Sequence, residues 1–146
     1  MSKTSPTLVR ILASVLYDTL ILLALFMLTG FVVVPINQLI TGSEVFTANW
    51  LMTLILYGVT FSYFYFSWRR GGQTIGMKSW RLRLQHREEG KTLTQGQLVR
   101  RFLVAQLSWM LLGLGYLWQL LDKEKLTLHG RWSDTRLEVL PKRKKR

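Results

Sequence analysis

Three long runs of apolar residues constrain this chain more than any other feature of its sequence. Residues 11–36 contain one charged residue, Asp18, and residues 50–68 contain none. A helix needs about 20 apolar residues to cross a hydrocarbon core of about 30 Å. Both runs are therefore predicted to be transmembrane helices, over about 9–34 and 50–68, with Pro35 ending the first. A cleaved signal peptide is disfavoured, because the first run is too long and contains an acid.

The third run, over about 95–122, is long enough to cross but is interrupted by glycines at 113 and 115. Lys and Arg concentrate in the loop 69–94 and in the tail 141–146, whereas residues 37–49 contain neither. The positive-inside rule then places the N-terminus, the second loop and the tail in the cytoplasm. A single third span would put the basic tail outside. A hairpin turning at the glycines, re-entrant or interfacial, keeps both termini inside; three plain spans remain the alternative.

Two short segments alternate between apolar and polar residues, over about 80–85 and 135–140. This period of two is typical of half-buried strands, so a small cytoplasmic β-ribbon is predicted, with two unpaired loops as the alternative. Thr94 and Gln97 have the spacing of a capping box, which predicts a helix from Gln95. The expected fold is one all-α membrane domain over 1–146, with two transmembrane helices, a third hydrophobic helical hairpin and this ribbon.

Composition excludes several classes of function. The chain has no cysteine, and its two histidines, His86 and His129, lack metal-ligand spacing. Neither a catalytic constellation nor a phosphate loop is visible, so we expect no enzyme activity, no metal and no cofactor. The formal charge of +12 suits anionic lipid headgroups. Nucleic acid is not an expected partner, because no soluble module is left to present that charge.

Four motifs in order resemble the RDD family of small membrane proteins, between about residues 8 and 140. Arg10 and Asp18 lie where the family has its first arginine and aspartate. The segment GGQTIGMKSWRLRL, residues 71–84, is similar to a Gly-x-Thr-x-Gly motif, and LTQGQLVRRFL, residues 93–103, to a helix start containing an arginine. The resemblance suggests a transport role, including sodium–proton exchange for some members of the family. The expected location is the bacterial inner membrane.

The closing segment of the family resembles residues 112–137, which contain His129, Arg131, Asp134 and Thr135. This chain departs from it at Gly130, where the family has an aspartate. Asp134 lies four residues later and would share a face with Gly130 if the segment were one helix. Either Asp134 replaces the family carboxylate or that carboxylate is lost.

Asp18 is the residue that most needs an explanation, because a carboxylate within a membrane helix faces protein or water. Ser14 lies one turn before it, and Arg100 or Arg101 is its expected cationic partner. The acid then clamps the first and third segments, binds an ion, or is protonated. Arg10 lies about 12 Å along the helix from Asp18 and is expected to snorkel to the interface.

Two functions stay open. One is transport of a cation or small solute by a homo-oligomer, with Asp18 as the polar site. The other is a non-enzymatic accessory or assembly subunit of a larger membrane complex. Hydroxyl groups along the second run, such as Thr60 and Tyr63, suit either helix packing or a polar path.

Overall fold

A computed structural model describes residues 5–42, 49–111 and 113–141. Residues 43–48 of the predicted first loop, 37–49, and residues 142–146 of the tail, 141–146, lie outside this part of the chain. The elements of the described residues are, in order, α1 Leu8–Thr41, α2 Asn49–Gly71, α3 Ile75–Ser79, β1 Leu82–His86, α4 Gln95–Met110, α5 Leu114–Leu121, α6 Leu128–Trp132 and β2 Thr135–Val139.

Helices α1 and α2 are both long and apolar enough to cross a membrane. The prediction that Pro35 ends the first helix is wrong, because α1 continues to Thr41. It ends at Gly42, whose φ of 70° is the left-handed conformation that glycine adopts without strain. A proline in the middle of a helix costs one hydrogen bond, which membrane helices tolerate better than soluble ones.

The third hydrophobic segment forms two helices, α4 and α5, whose axes differ by 100°. Helix α4 begins at Gln95 with the predicted capping box between Thr94 and Gln97. The break contains Gly113, which has a φ of 77°. The pair fits a broken span or a re-entrant loop, so the hairpin and its side of the membrane stay predictions.

The predicted ribbon is confirmed as an antiparallel pair of β1 and β2, in which Leu84 lies opposite Leu137. Leu82 and Leu84 point inward and are almost completely buried. They join Trp68 and Phe102 in the main hydrophobic core. Each fully buried leucine contributes about 1.5–3 kcal/mol. The two-stranded ribbon is therefore stabilised by packing against the helices, since so short a pair would be only marginally stable alone.

Candidate functional site

Asp18 is buried and accepts three hydrogen bonds. The Tyr63 hydroxyl donates to Oδ1 over 2.6 Å, and the Thr74 hydroxyl donates to Oδ2 over 2.6 Å. The backbone N–H of Gly76 also donates to Oδ1, over 2.9 Å. The carboxylate thus joins α1 to α2 and to the start of α3. Burial of a carboxylate costs much less free energy when several donors form hydrogen bonds to it than when it has none.

Local sequence explains how α3 reaches this carboxylate. Thr74 is the N-cap of α3, and its hydroxyl accepts from the N–H of Met77 over 3.1 Å while donating to Asp18. Gly76 allows α3 to touch α1, because a Cβ atom there would lie 2.2 Å from the Ser14 carbonyl oxygen. We name this arrangement of Asp18, Tyr63, Thr74 and Gly76 the carboxylate latch.

The structure separates most of the other predicted site residues from the latch. Ser14 is buried one turn away, but its hydroxyl donates to the Ile11 carbonyl over 2.8 Å. Arg10 and Arg100 are exposed. Within the described residues, no Lys or Arg nitrogen lies within 4 Å of the Asp18 carboxylate. The latch therefore connects the first segment with the second, where the sequence had suggested the third.

A cavity of about 380 Å³ lies beside the latch, among α1, α2, α4 and the closing segment. Its charged or titratable lining groups are Asp18, Arg101, Tyr116 and His129. Most of the remaining wall is apolar. The cavity thus has four sequence-predicted site residues around one space, namely Ser14, Asp18, Arg101 and His129. Among the described ion pairs there is none between Asp18 and Arg101.

Arg101 is 2% exposed and lies on the α4 wall of this cavity. Its Nη1 donates to the Thr135 hydroxyl over 2.8 Å, and its guanidinium carbon lies 5.5 Å from the centre of the Trp68 ring. Its buried Nε has no hydrogen-bond partner. An arginine offers five N–H donors, and the Nε–H of this one is without an acceptor.

The closing segment supplies the other end of the cavity. His129 is buried, its Nδ1 has no hydrogen-bond partner, and its ring packs edge-on against Tyr116 at 4.9 Å between centroids. Burial lowers the pKa of His129 well below its usual value, and the positive charge of Arg101 lowers that pKa further. His129 is therefore a neutral imidazole at pH 7. Thr135 is the hydrogen-bond partner of Arg101.

The remaining residues of the closing motif lie elsewhere. Helix α6 ends at Trp132, and Asp134 follows in a turn with a φ of 52°. Asp134 is exposed whereas Gly130 is buried, so the two positions do not share a face. Arg131 forms an ion pair with Asp122. The hydrogen bond from the Leu126 N–H lowers the pKa of Asp122, and the bond from Arg131 adds to this.

Sequence reasoning missed Tyr63, Thr74 and Gly76 as partners of Asp18. Thr74 and Gly76 belong to the Gly-x-Thr-x-Gly segment, so the signal was present as a motif without an assigned role. Tyr63 was visible only as one of several hydroxyls on the second run. Among the described residues, no group of three or more His, Cys, Asp or Glu is placed to hold a metal ion.

Comparison with known proteins agrees with the resemblance seen in the motifs. The model of the RDD family matches residues 4–134, which is most of the chain. That range includes the latch, Arg101 and His129. No curated protein and no solved structure matches the chain significantly.

Proposed function

The chain belongs to the RDD family, and from that premise we propose that it transports a cation or small solute across the membrane. Two apolar helices long enough to span a bilayer support a membrane protein. The cavity beside the latch is the proposed binding site. Its volume of about 380 Å³ falls within the range of about 300–1,000 Å³ that is typical of small-molecule sites.

The observation that carries this proposal is that one cavity is lined by both a buried carboxyl group and a buried guanidinium group. Asp18 lies on the α1 wall and Arg101 on the α4 wall. Ionisable groups within membrane segments are costly, and they typically mark substrate or ion pathways. Two spanning helices and one bent pair are few to enclose a path, so we propose that the working unit is a homo-oligomer.

A flux assay tests the cation form of the proposal. Purified protein is reconstituted in liposomes that contain a pH-sensitive dye, and a sodium gradient is imposed. We expect a proton flux above that of empty liposomes, and its loss in Asp18→Asn. Asp134→Asn is the matched control, because it makes the same chemical change at an exposed site outside the cavity. Asparagine also tolerates the positive φ there.

Three outcomes are decisive for transport. Wild-type flux equal to that of empty liposomes would contradict the cation form. Full flux in a folded Asp18→Asn variant would remove Asp18 from the path. Flux-inactive protein that co-purifies in mild detergent with a stoichiometric partner would instead support the accessory-subunit alternative.

We also propose that the chain lies in a bacterial inner membrane with both termini in the cytoplasm. The distribution of Lys and Arg along the sequence supports this orientation. The 100° bend between α4 and α5 is compatible with a hairpin that returns to its starting side. Reporter fusions at each terminus provide the test, and opposite sides for the two ends would refute the proposed topology.

A further inference from the structure

We propose that the cavity binds an amphipathic anion, whose carboxylate or phosphate contacts the Arg101 guanidinium and whose apolar part lies along the cavity wall. This inference rests on the proposed function for the cavity as the binding site, and it develops the small-solute form of that proposal by naming the solute as an anion. The experiment below measures ligand binding and not flux, so the anion inference and the transport proposal can fail separately.

The first argument is the charge state of Arg101. An arginine remains protonated in proteins, and a buried charge needs a counter-ion or a full set of hydrogen bonds. Within the described chain, the ion pairs connect other residues, and no carboxylate oxygen lies within 4 Å of Arg101. Thr135 and the Trp68 ring satisfy only part of the guanidinium. The unpartnered Nε–H is therefore a donor that can bind an acceptor from outside the chain.

Asp18 does not fill this role, although it lines the same cavity. Its two oxygens already accept from Tyr63, Thr74 and the Gly76 N–H. The latch therefore satisfies the carboxylate of the cavity from within the chain, whereas the Arg101 guanidinium has no counter-ion among the described residues. The imbalance favours a ligand that offers acceptors over one that offers donors.

Position 130 lies beside the Arg101 guanidinium, and the chain has a glycine there, so it places no carboxylate at this point. Gly130 is buried on α6, and a Cβ atom built on it would lie 3.6 Å from Nη1 of Arg101. The neighbouring His129 Nδ1 also has no partner. A neutral imidazole with a free nitrogen next to a guanidinium suits an oxyanion, since one of its tautomers donates a hydrogen bond.

The shape and lining of the cavity indicate the rest of the ligand. On α1 the lining extends from Ile11 to Leu22, which is roughly 16 Å of helix axis. Besides Arg101, the α2 and α4 walls of the cavity include the apolar residues Phe64, Phe102 and Ala105. A small inorganic anion would leave this apolar length uncovered, whereas a single alkyl chain with an anionic end covers it.

The test is saturable binding of radiolabelled dodecanoate to the full chain in nanodiscs of zwitterionic lipid, with empty nanodiscs subtracted. Unlabelled dodecyl phosphate should compete at concentrations similar to dodecanoate. Dodecanol has the same chain without the charge and should compete at least about tenfold less well, because charge-assisted hydrogen bonds are the stronger class. Equal competition by dodecanol would overturn the proposal.

Variants then assign the anion to Arg101. Arg101→Gln should weaken dodecanoate binding at least about tenfold. Arg100→Gln removes the same charge from the neighbouring exposed position and should leave binding unchanged. Gel-filtration profiles show whether each variant is folded. Unchanged binding in a folded Arg101→Gln variant would contradict the assignment.

A second pair of variants keeps Arg101 and so remains informative if Arg101→Gln does not fold. Gly130→Asp places a carboxylate beside Nη1 and should abolish binding by acting as an internal counter-ion. Gly130→Asn has nearly the same size, and both side chains meet the Thr135 carbonyl oxygen at a Cβ distance of 3.0 Å. The Asn variant should therefore bind more tightly than the Asp variant. Equal loss in both would show a steric effect and refute the charge argument.

Repeating the assay with one fifth phosphatidylglycerol in the nanodisc distinguishes the two sources of the anion. If a phospholipid headgroup is the natural occupant, wild-type dodecanoate binding should be lost. If the occupant is a free amphiphile, binding should persist. Both results keep an anion on Arg101. Sodium-driven flux without dodecanoate binding would overturn the anion inference and leave the transport proposal intact. Dodecanoate binding without flux would support the anion inference and contradict transport.

Discussion

Removal of the Asp18 carboxylate should destabilise the fold by an amount that the latch geometry determines. In Asp18→Ala, the Thr74 hydroxyl and the Gly76 N–H lose their acceptor while staying buried. A buried donor left without a partner costs about 1–3 kcal/mol, so these two donors together give about 2–6 kcal/mol. Tyr63 is only partly buried, so the loss of its acceptor adds less.

Asp18→Asn should cost less, about 1–3 kcal/mol, because it removes the charge and keeps acceptor and volume. Its amide oxygen still accepts from Tyr63 and the Gly76 N–H. Its NH₂ group can donate to the Thr74 hydroxyl, which already accepts from the Met77 N–H. The expected order of stability is therefore wild type, then Asn, then Ala.

The measurement is the free energy of unfolding in mixed micelles titrated with SDS, followed by tryptophan fluorescence. Glu88→Ala is the surface control, since the Glu88 side chain is 64% exposed and its ion pair is with Lys91, three residues later. It should change stability by less than about 0.5 kcal/mol. The assigned role of the latch would be refuted if Asp18→Ala changed the free energy of unfolding by less than about 0.5 kcal/mol. It would also be refuted if Asp18→Asn lowered that free energy as much as Asp18→Ala does.

Three further predictions concern packing, capping and pH. Gly115→Ala should destabilise by about 1–3 kcal/mol, because its Cβ would lie 2.1 Å from the Ser108 hydroxyl oxygen. Gly58→Ala meets nothing within 4 Å and should be neutral or stabilising by up to about 1 kcal/mol in the same unfolding assay. Thr94→Ala removes the cap of α4 and should cost about 0.5–2 kcal/mol, measured by SDS unfolding; no change would place the start of α4 elsewhere. Because burial lowers the pKa of His129, the unfolded state binds more protons below about pH 6.5. Unfolding free energy should then fall as pH drops below 6.5, by at most about 1.4 kcal/mol per unit, and His129→Gln should flatten this dependence. Identical pH profiles for the two proteins would contradict the lowered pKa.

Local signals predicted the elements of the fold well. The capping box between Thr94 and Gln97 fixed the first residue of α4, because it depends on side chains only three residues apart. Alternation in two short segments predicted the ribbon, since one buried face requires a period of two. The prediction that α1 ends at Pro35 was wrong, because a proline weakens a helix but does not by itself decide whether the next turn is helical.

The site was less predictable than the elements. Asp18 was identified because a charge in an apolar run is conspicuous, yet its expected partner was an arginine. The structure provides Tyr63, Thr74 and the Gly76 N–H instead. Contacts separated by 45 to 58 residues depend on how helices pack, and no spacing rule along the chain encodes them.

The sequence alone was enough to predict two apolar helices long enough to cross a membrane, with one acid inside the first. Those facts follow from hydropathy and from the cost of burying charge, which act on each segment separately. The packing of distant segments gives the acid its hydrogen-bond donors, and it leaves the buried Nε of Arg101 without an acceptor. Hydrogen bonds between distant segments form only when packing brings donor and acceptor within about 3 Å.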